Sequence, residues 1–209
     1  MERKKYVLVA DGSSDKCLLP IIDCFLNEHF PNVIFERDFA ELGFLPKPPK
    51  SLMERVQIAI KYYEPDWVFI HRDAEKEANP IEKRGGEIDG VLHELKSEQV
   101  FVKIIPIRMT EAWLLIDEKA IRRAASNPNG KIKLQLPHVN QLESIADPKE
   151  MLFNLLRHAS ELSGRKLTNL NVNRLSHLVA ENITDFGKLR SLEAFQHFES
   201  QLLMLKNSS

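Results

Sequence analysis

The sequence predicts an α/β protein: a mainly parallel sheet with helices on both faces, followed by a helical C-terminal extension. Three observations carry this expectation. Four short apolar runs alternate with three amphipathic stretches in the first half of the chain, the pattern of successive βαβ units. The apolar runs are continuous rather than alternating, as in strands covered on both faces. Beyond residue 118 such runs cease and apolar residues recur mostly at helical spacing. The chain has 209 residues, 43% of them hydrophobic, enough to bury a sizeable core. The expected division is an α/β core at 1–118 and a helical extension at 119–209 packed on it.

Each element has its own signal. Tyr6-Val7-Leu8-Val9-Ala10 reads as the first buried strand. Asp11-Gly12-Ser13-Ser14-Asp15 is a turn rich in helix-capping residues. The helix after it carries Leu18, Ile22, Phe25 and Leu26 and stops before Pro31. Cys17 and Cys24 fall on one face of that helix, as small core residues rather than a metal or redox pair. Val33-Ile34-Phe35 gives a second strand, and the proline-rich loop 43–50 cannot be helical. Leu52, Val56, Ala59, Ile60 and Tyr63 stripe a helix from about Ser51 to Tyr63. Trp67 to Ile70 is the third strand, leading into His71-Arg72-Asp73-Ala74-Glu75. Asn79-Pro80 and Gly85-Gly86 mark a loop before a helix bearing Ile88, Val91, Leu92 and Leu95. The fourth strand is expected over Val100 to Ile107. Glu111 to Asp117 continues as helix and is broken at Asn127-Pro128-Asn129-Gly130. Lys131 to Gln135 fits an edge strand or a loop. Asp147-Pro148 opens a helix with proline at its first position. Leu189, Leu192, Phe195, Phe198 and Leu202 stripe a last one.

Several function classes are excluded on pattern. No apolar run approaches the roughly 20 residues that span a bilayer, and Met1-Glu2-Arg3-Lys4-Lys5 leads into a strand without a cleavable signal. The expectation is a cytoplasmic protein with no membrane partner. Two cysteines, and seven histidines without HxxxH or HxH spacing, argue against zinc. There is no GxxxxGK[ST], no GxGxxG and no GxSxG. Charge is distributed unevenly. Residues 1–118 hold 16 basic and 22 acidic side chains, whereas 119–174 hold 10 basic and 4 acidic. That asymmetry suits an acid-rich site beside a surface that attracts polyanions, or simply a solvated basic face.

Ligands of open parallel sheets bind at the carboxyl ends of the strands. Three of the expected strands deliver acids there: Asp11 and Asp15 after the first, Asp73 and Glu75 after the third, Glu111 after the fourth. Carboxylates brought together repel unless a positive charge sits between them, and a hard divalent cation such as Mg2+ is a common solution. Each acid also has a plainer role, as a helix cap, a solvated loop acid or a first-turn acid. His71 is expected as a satisfied core histidine or as a group orienting a ligand.

At these residues the chain resembles the Toprim fold of topoisomerases, primases and OLD-type nucleases. Asp11-Gly12-Ser13-Ser14-Asp15 is similar to that family's E-G-x-x-D pattern, with aspartate for glutamate, and Asp73-Ala74-Glu75 to its D-x-D, with glutamate in the last position. A narrower resemblance is to uncharacterised small bacterial Toprim-like proteins encoded beside ABC-type ATPases in operons suspected of phage defence. It rests on Arg108 to Asp117, on Asp147-Pro148-Lys149-Glu150 and on Leu192 to Glu199. The resemblance implies a Toprim-like Rossmannoid sheet and Mg2+-dependent (or Mn2+-dependent) cleavage of nucleic-acid phosphodiesters, gated by an ABC-type ATPase partner. It makes Asp11, Asp73 and Glu111 the catalytic set and Asp11, Asp15, Asp73 and Glu75 the metal set. Arg108, Arg122, Arg123, Lys131 and Lys133 would meet phosphates. A homo-oligomer is compatible with it. The alternative is a catalytically degenerate Toprim-like interaction module, which the substitutions at Asp11 and Glu75 favour. A receiver domain fits less well, because Gly12 stands where a second acid would follow Asp11.

Overall fold

In the computed structural model, which describes residues 1–74, 77 and 79–208, four parallel strands form one sheet. They are β1 (Glu2–Val9), β2 (Val33–Phe39), β3 (Trp67–His71) and β4 (Val100–Ile104), in the order β2-β1-β3-β4. The register runs from Glu2↔Val33 to Leu8↔Phe39, from Tyr6↔Trp67 to Val9↔Ile70, and from Trp67↔Val100 to His71↔Ile104. β1 and β3 are central, and the inner residues Tyr6 to Val9 and Val68 to Ile70 are at most 1% exposed. Burial on both faces is what their unbroken apolar runs require.

Strand alternation divides the core in two. Val7, Val9, Val68 and Ile70 face α2 (Leu52–Tyr63) and α3 (Pro80–Leu95), through Val56, Ala59 and Ile88. Tyr6, Leu8, Trp67, Phe69, Val102 and Ile104 face the opposite way. There they meet α1 (Leu19–His29) and the C-terminal helices α4 (Glu118–Ala124), α5 (Pro148–Ser160), α7 (Val172–Asn182) and α8 (Glu193–Ser208), in one continuous cluster. The short α6 (Gly164–Thr168) buries none of its residues. Local signals set the boundaries. Ser51 and Glu54 form a reciprocal cap on α2 at 3.1 and 3.2 Å, and the Asp147 side chain accepts the Glu150 N–H at 2.9 Å to start α5.

Several expectations are corrected in detail. The helix expected directly after the Asp11–Asp15 turn, with Leu18 on it, starts later: a 3-10 segment spans Ser13–Leu18 before α1 begins. Cys17 therefore lies in that segment and Cys24 in α1, though both pack against the larger core. β2 runs to Phe39, four residues further than its apolar part, because an edge strand needs only backbone pairing on one side. β4 ends at Ile104, since Pro106 has no N–H to continue the ladder. α3 begins at Pro80 and passes through Gly85-Gly86. Glycine there costs about 1 kcal/mol a residue, which packing on the sheet outweighs. Glu111 lies in a 3-10 turn at Thr110–Leu114, and Leu189 precedes α8 in another 3-10 turn; for residues 131–135 the loop reading holds, not the edge strand. Among the described residues no helix is long and apolar enough to cross a membrane.

Candidate metal centre

From the central strands β1 and β3 the chain departs in opposite directions, toward β2 and toward β4. Their carboxyl ends thus form the switch point of the sheet, where α/β proteins place ligands. Asp15 reaches it from the 3-10 segment after β1, His71 is the last residue of β3, and Asp73 comes two residues later. The loop after β3 stays extended, held by Arg72 N–H to Ile104 O and Ala74 N–H to Pro106 O, both 3.1 Å. That pairing fixes where Asp73 points.

His71 stands between the two carboxylates. Its Nε2 is 3.1 Å from Asp73 Oδ1 and its Nδ1 is 3.4 Å from Asp15 Oδ2. The Nδ1 contact is too poorly aligned to be a hydrogen bond. Asp73 Oδ1 also accepts the Thr110 N–H at 3.1 Å, and Thr110 Oγ1 lies 3.0 Å from His71 Nε2. Asp15 accepts the Gly12 N–H at 3.1 Å. Burial disfavours charge on His71, but the two carboxylates outweigh it and push its pKa up to about 10. Burial acts on Asp15 in the opposite sense, raising its pKa. His71, the Gly12 N–H and Ser14 overcome that and hold it below the usual carboxylate range. The two acids thus favour the imidazolium form of His71 in the protein alone.

Asp15, His71 and Asp73 each present one ligand atom, all within 4.8 Å of one another. Two carboxylate oxygens and one imidazole nitrogen are a chemically sound donor set for a divalent cation, and the nitrogen suits Mn2+ better than Mg2+. An imidazolium is no ligand, so a cation entering here takes the place of its proton. The other such group among the described residues, Glu28, His29 and Glu199, already holds the guanidinium of Arg190, 2.6 Å from Glu28 and 2.7 Å from Glu199.

The remaining acids expected from the sequence have other partners. Asp11 is not in the three-residue group. It is half exposed and clamped by Arg55 Nη1 at 2.6 Å and Arg72 Nε at 3.2 Å. Glu111 is buried and paired with Lys149 of α5 at 3.3 Å. It nonetheless shares the neighbourhood: burial first, then the charges of Glu111, Asp15 and Asp73, push the Cys17 thiol well up. Glu75 lies outside the described residues. Of the expected phosphate contacts, Arg123, Lys131 and Lys133 are exposed and Arg108 is half-buried. Arg122 is corrected: it is buried, with its guanidinium on Glu118 and on Ile132 O at 2.7 Å each, so it joins α4 to the following loop instead of facing a ligand.

Sequence reasoning missed Thr110, Arg55 and Lys149, all brought in from distant segments. It also missed His177 of α7, which lines a cavity with Lys16 and Cys17. Burial and then Lys16 hold His177 below its usual range, against Asp15 and Glu111. Its signal was only its place on the polar side of an amphipathic helix. No family model matches the chain, and comparison with curated proteins and with solved structures likewise gives no match.

Proposed function

We propose that the chain is a divalent-cation-dependent phosphodiesterase acting on nucleic acid, with the cation held by Asp15, His71 and Asp73. The convergence of these three side chains at the β1/β3 switch point is the observation that carries the reading. When bound, such a cation activates water and offsets charge on phosphoryl oxygens. The chain's own groups would do the rest. The Thr110 N–H fixes Asp73 Oδ1. Lys149 neutralises the buried Glu111. Arg108, at the carboxyl end of β4, forms no ion pair or hydrogen bond among the described residues. That leaves its guanidinium available for a phosphate, which it can grip with two parallel N–H donors. The Toprim-like relationship, an ABC-type ATPase as a gate and a cytoplasmic location belong to the same proposal.

A second reading, a catalytically degenerate interaction module, is favoured by one observation: Asp11 is already clamped by Arg55 and Arg72. Calorimetric titration with Mn2+ and Mg2+, with and without nucleic acid, separates the two. The first reading expects one cation per chain in the wild type, loss of binding in Asp73→Asn, and parallel loss of cleavage across single- and double-stranded DNA and RNA. A wild type silent to both cations even with nucleic acid present selects the second reading.

A further inference from the structure

The loops after β1 and β2 enclose a cavity of about 340 Å3, lined by Gly12, Phe39, Leu42, Phe44, Pro49 and Arg55 among others. That volume sits at the lower end of the roughly 300–1,000 Å3 typical of small-molecule sites. The cavity adjoins the candidate centre through a shared residue: Gly12 lines it and donates its N–H to Asp15. Arg55 is fixed at its edge by Asp11 and by Ala10 O at 3.3 Å.

Phe44 is the unusual member. It is 88% exposed, although its neighbours Leu42 and Leu45 both pack into the core. A 3-10 turn at Leu42–Phe44, closed by Leu45 N–H to Leu42 O at 3.4 Å, holds it there. Pro46, Pro48 and Pro49 stiffen the loop between that turn and α2. Among the described residues its ring pairs with no other aromatic. A phenyl ring held outward on an anchored turn adds nothing to this core, but it is a ready stacking platform.

The charges around it point to an anion. The acids of the lining are neutralised within the chain, Glu41 by Lys16 and Asp11 by Arg55 and Arg72. Lys47 and Lys50 are exposed and form no salt bridge among the described residues. A ligand with a flat ring and a phosphate satisfies both features. We infer that this cavity receives an unpaired nucleobase, and that the substrate at the neighbouring centre is single-stranded nucleic acid. A duplex keeps its bases stacked and paired and cannot offer one without flipping. The inference rests on the phosphodiesterase reading for its reaction, but its test does not.

Trp67 and Trp113 are buried, so Phe44→Trp adds one exposed indole as a reporter. It is titrated in EDTA with oligo-dT, oligo-dA, their ribo counterparts and a duplex of matched length. The expected result is indole quenching by single strands and not by duplex. In anisotropy, Phe44→Ala should weaken single-strand binding roughly tenfold while its thermal unfolding matches wild type. Equal quenching by duplex, wild-type affinity in Phe44→Ala, or no nucleic-acid binding at all overturns the inference. Single-strand binding through Phe44 in a chain that cleaves nothing overturns the phosphodiesterase reading alone. Cleavage with an unchanged KM in Phe44→Ala overturns the base site alone.

Discussion

Arg108 is held in the left-handed region, at φ 69°, a few residues beyond the end of β4. For an L-residue this costs about 1–2 kcal/mol, and such strain is characteristic of sites where a side chain must be aimed. Glycine would relieve the strain but returns about 0.5–1 kcal/mol of unfolded-chain entropy. Arg108→Gly is therefore expected to leave denaturant-measured stability unchanged or up to about 1 kcal/mol higher, while polyanion affinity falls and its salt dependence flattens. A clear loss of stability would show that the guanidinium is a packing group. At this scale the sequence was half legible. Asp15 and Asp73 lie just past strand ends and could be read directly, whereas the groups that decide their chemistry lie far away in the chain. Thr110 is 37 residues from Asp73, and nothing local marks it. His71 could be seen, but not that it would stand between the two acids.

Elements meet through polar fasteners that hydrophobic periodicity does not report. The open edge of β4 is closed by α8: Gln201 accepts the Lys103 N–H at 2.8 Å and donates to Lys103 O at 2.9 Å, in place of a fifth strand. Elsewhere on α8, Glu199 joins α1 through His29 at 3.0 Å and meets Arg190. Burial raises the Glu199 pKa, but Arg190 and then His29 outweigh it and hold it below the usual carboxylate range. A folded-state pKa below the unfolded one means the carboxylate stabilises the fold fully above the unfolded value, about 4.3. That stability is lost as pH falls through the folded value. Glu199→Gln should cost roughly 1–3 kcal/mol at neutral pH, and thermal unfolding of variant and wild type should converge in acid. A gap that stays constant with pH would mean a steric role. Strands and helices were otherwise legible wherever one face was apolar. Their ends were not, because α2, α3 and α5 stop at the left-handed residues Glu64, Lys96 and Glu161 rather than at glycine.

At the scale of the whole molecule, the helical C-terminal part packs on the sheet as expected and shares the larger of its two apolar clusters with the strands. Phe69 of β3, Phe25 of α1, Trp113 of the 3-10 turn and Phe195 and Phe198 of α8 form one aromatic cluster, with ring centroids 4.8–6.4 Å apart in the Phe25–Phe195, Trp113–Phe195, Phe69–Phe198 and Trp113–Phe198 pairs. The change of texture after residue 118 is a change of secondary structure, and the helices that follow pack against the strands. The C-terminal helices cover one face of the sheet and supply Lys149 and His177 to the neighbourhood of the candidate centre. Removing them exposes Trp113, Phe25 and the Tyr6–Leu8–Phe69 face together, far more apolar area than four strands and three helices can offset. A chain ending at residue 118 is expected to lack a cooperative thermal transition. Full-length protein should unfold in one step, with tryptophan fluorescence and far-UV circular dichroism superimposing, because Trp67 and Trp113 report from the sheet and from the helical side of the same core. Two separated transitions, or a cooperatively folded 1–118 fragment, would make the two parts separate folding units and the helical part dispensable for the site's geometry.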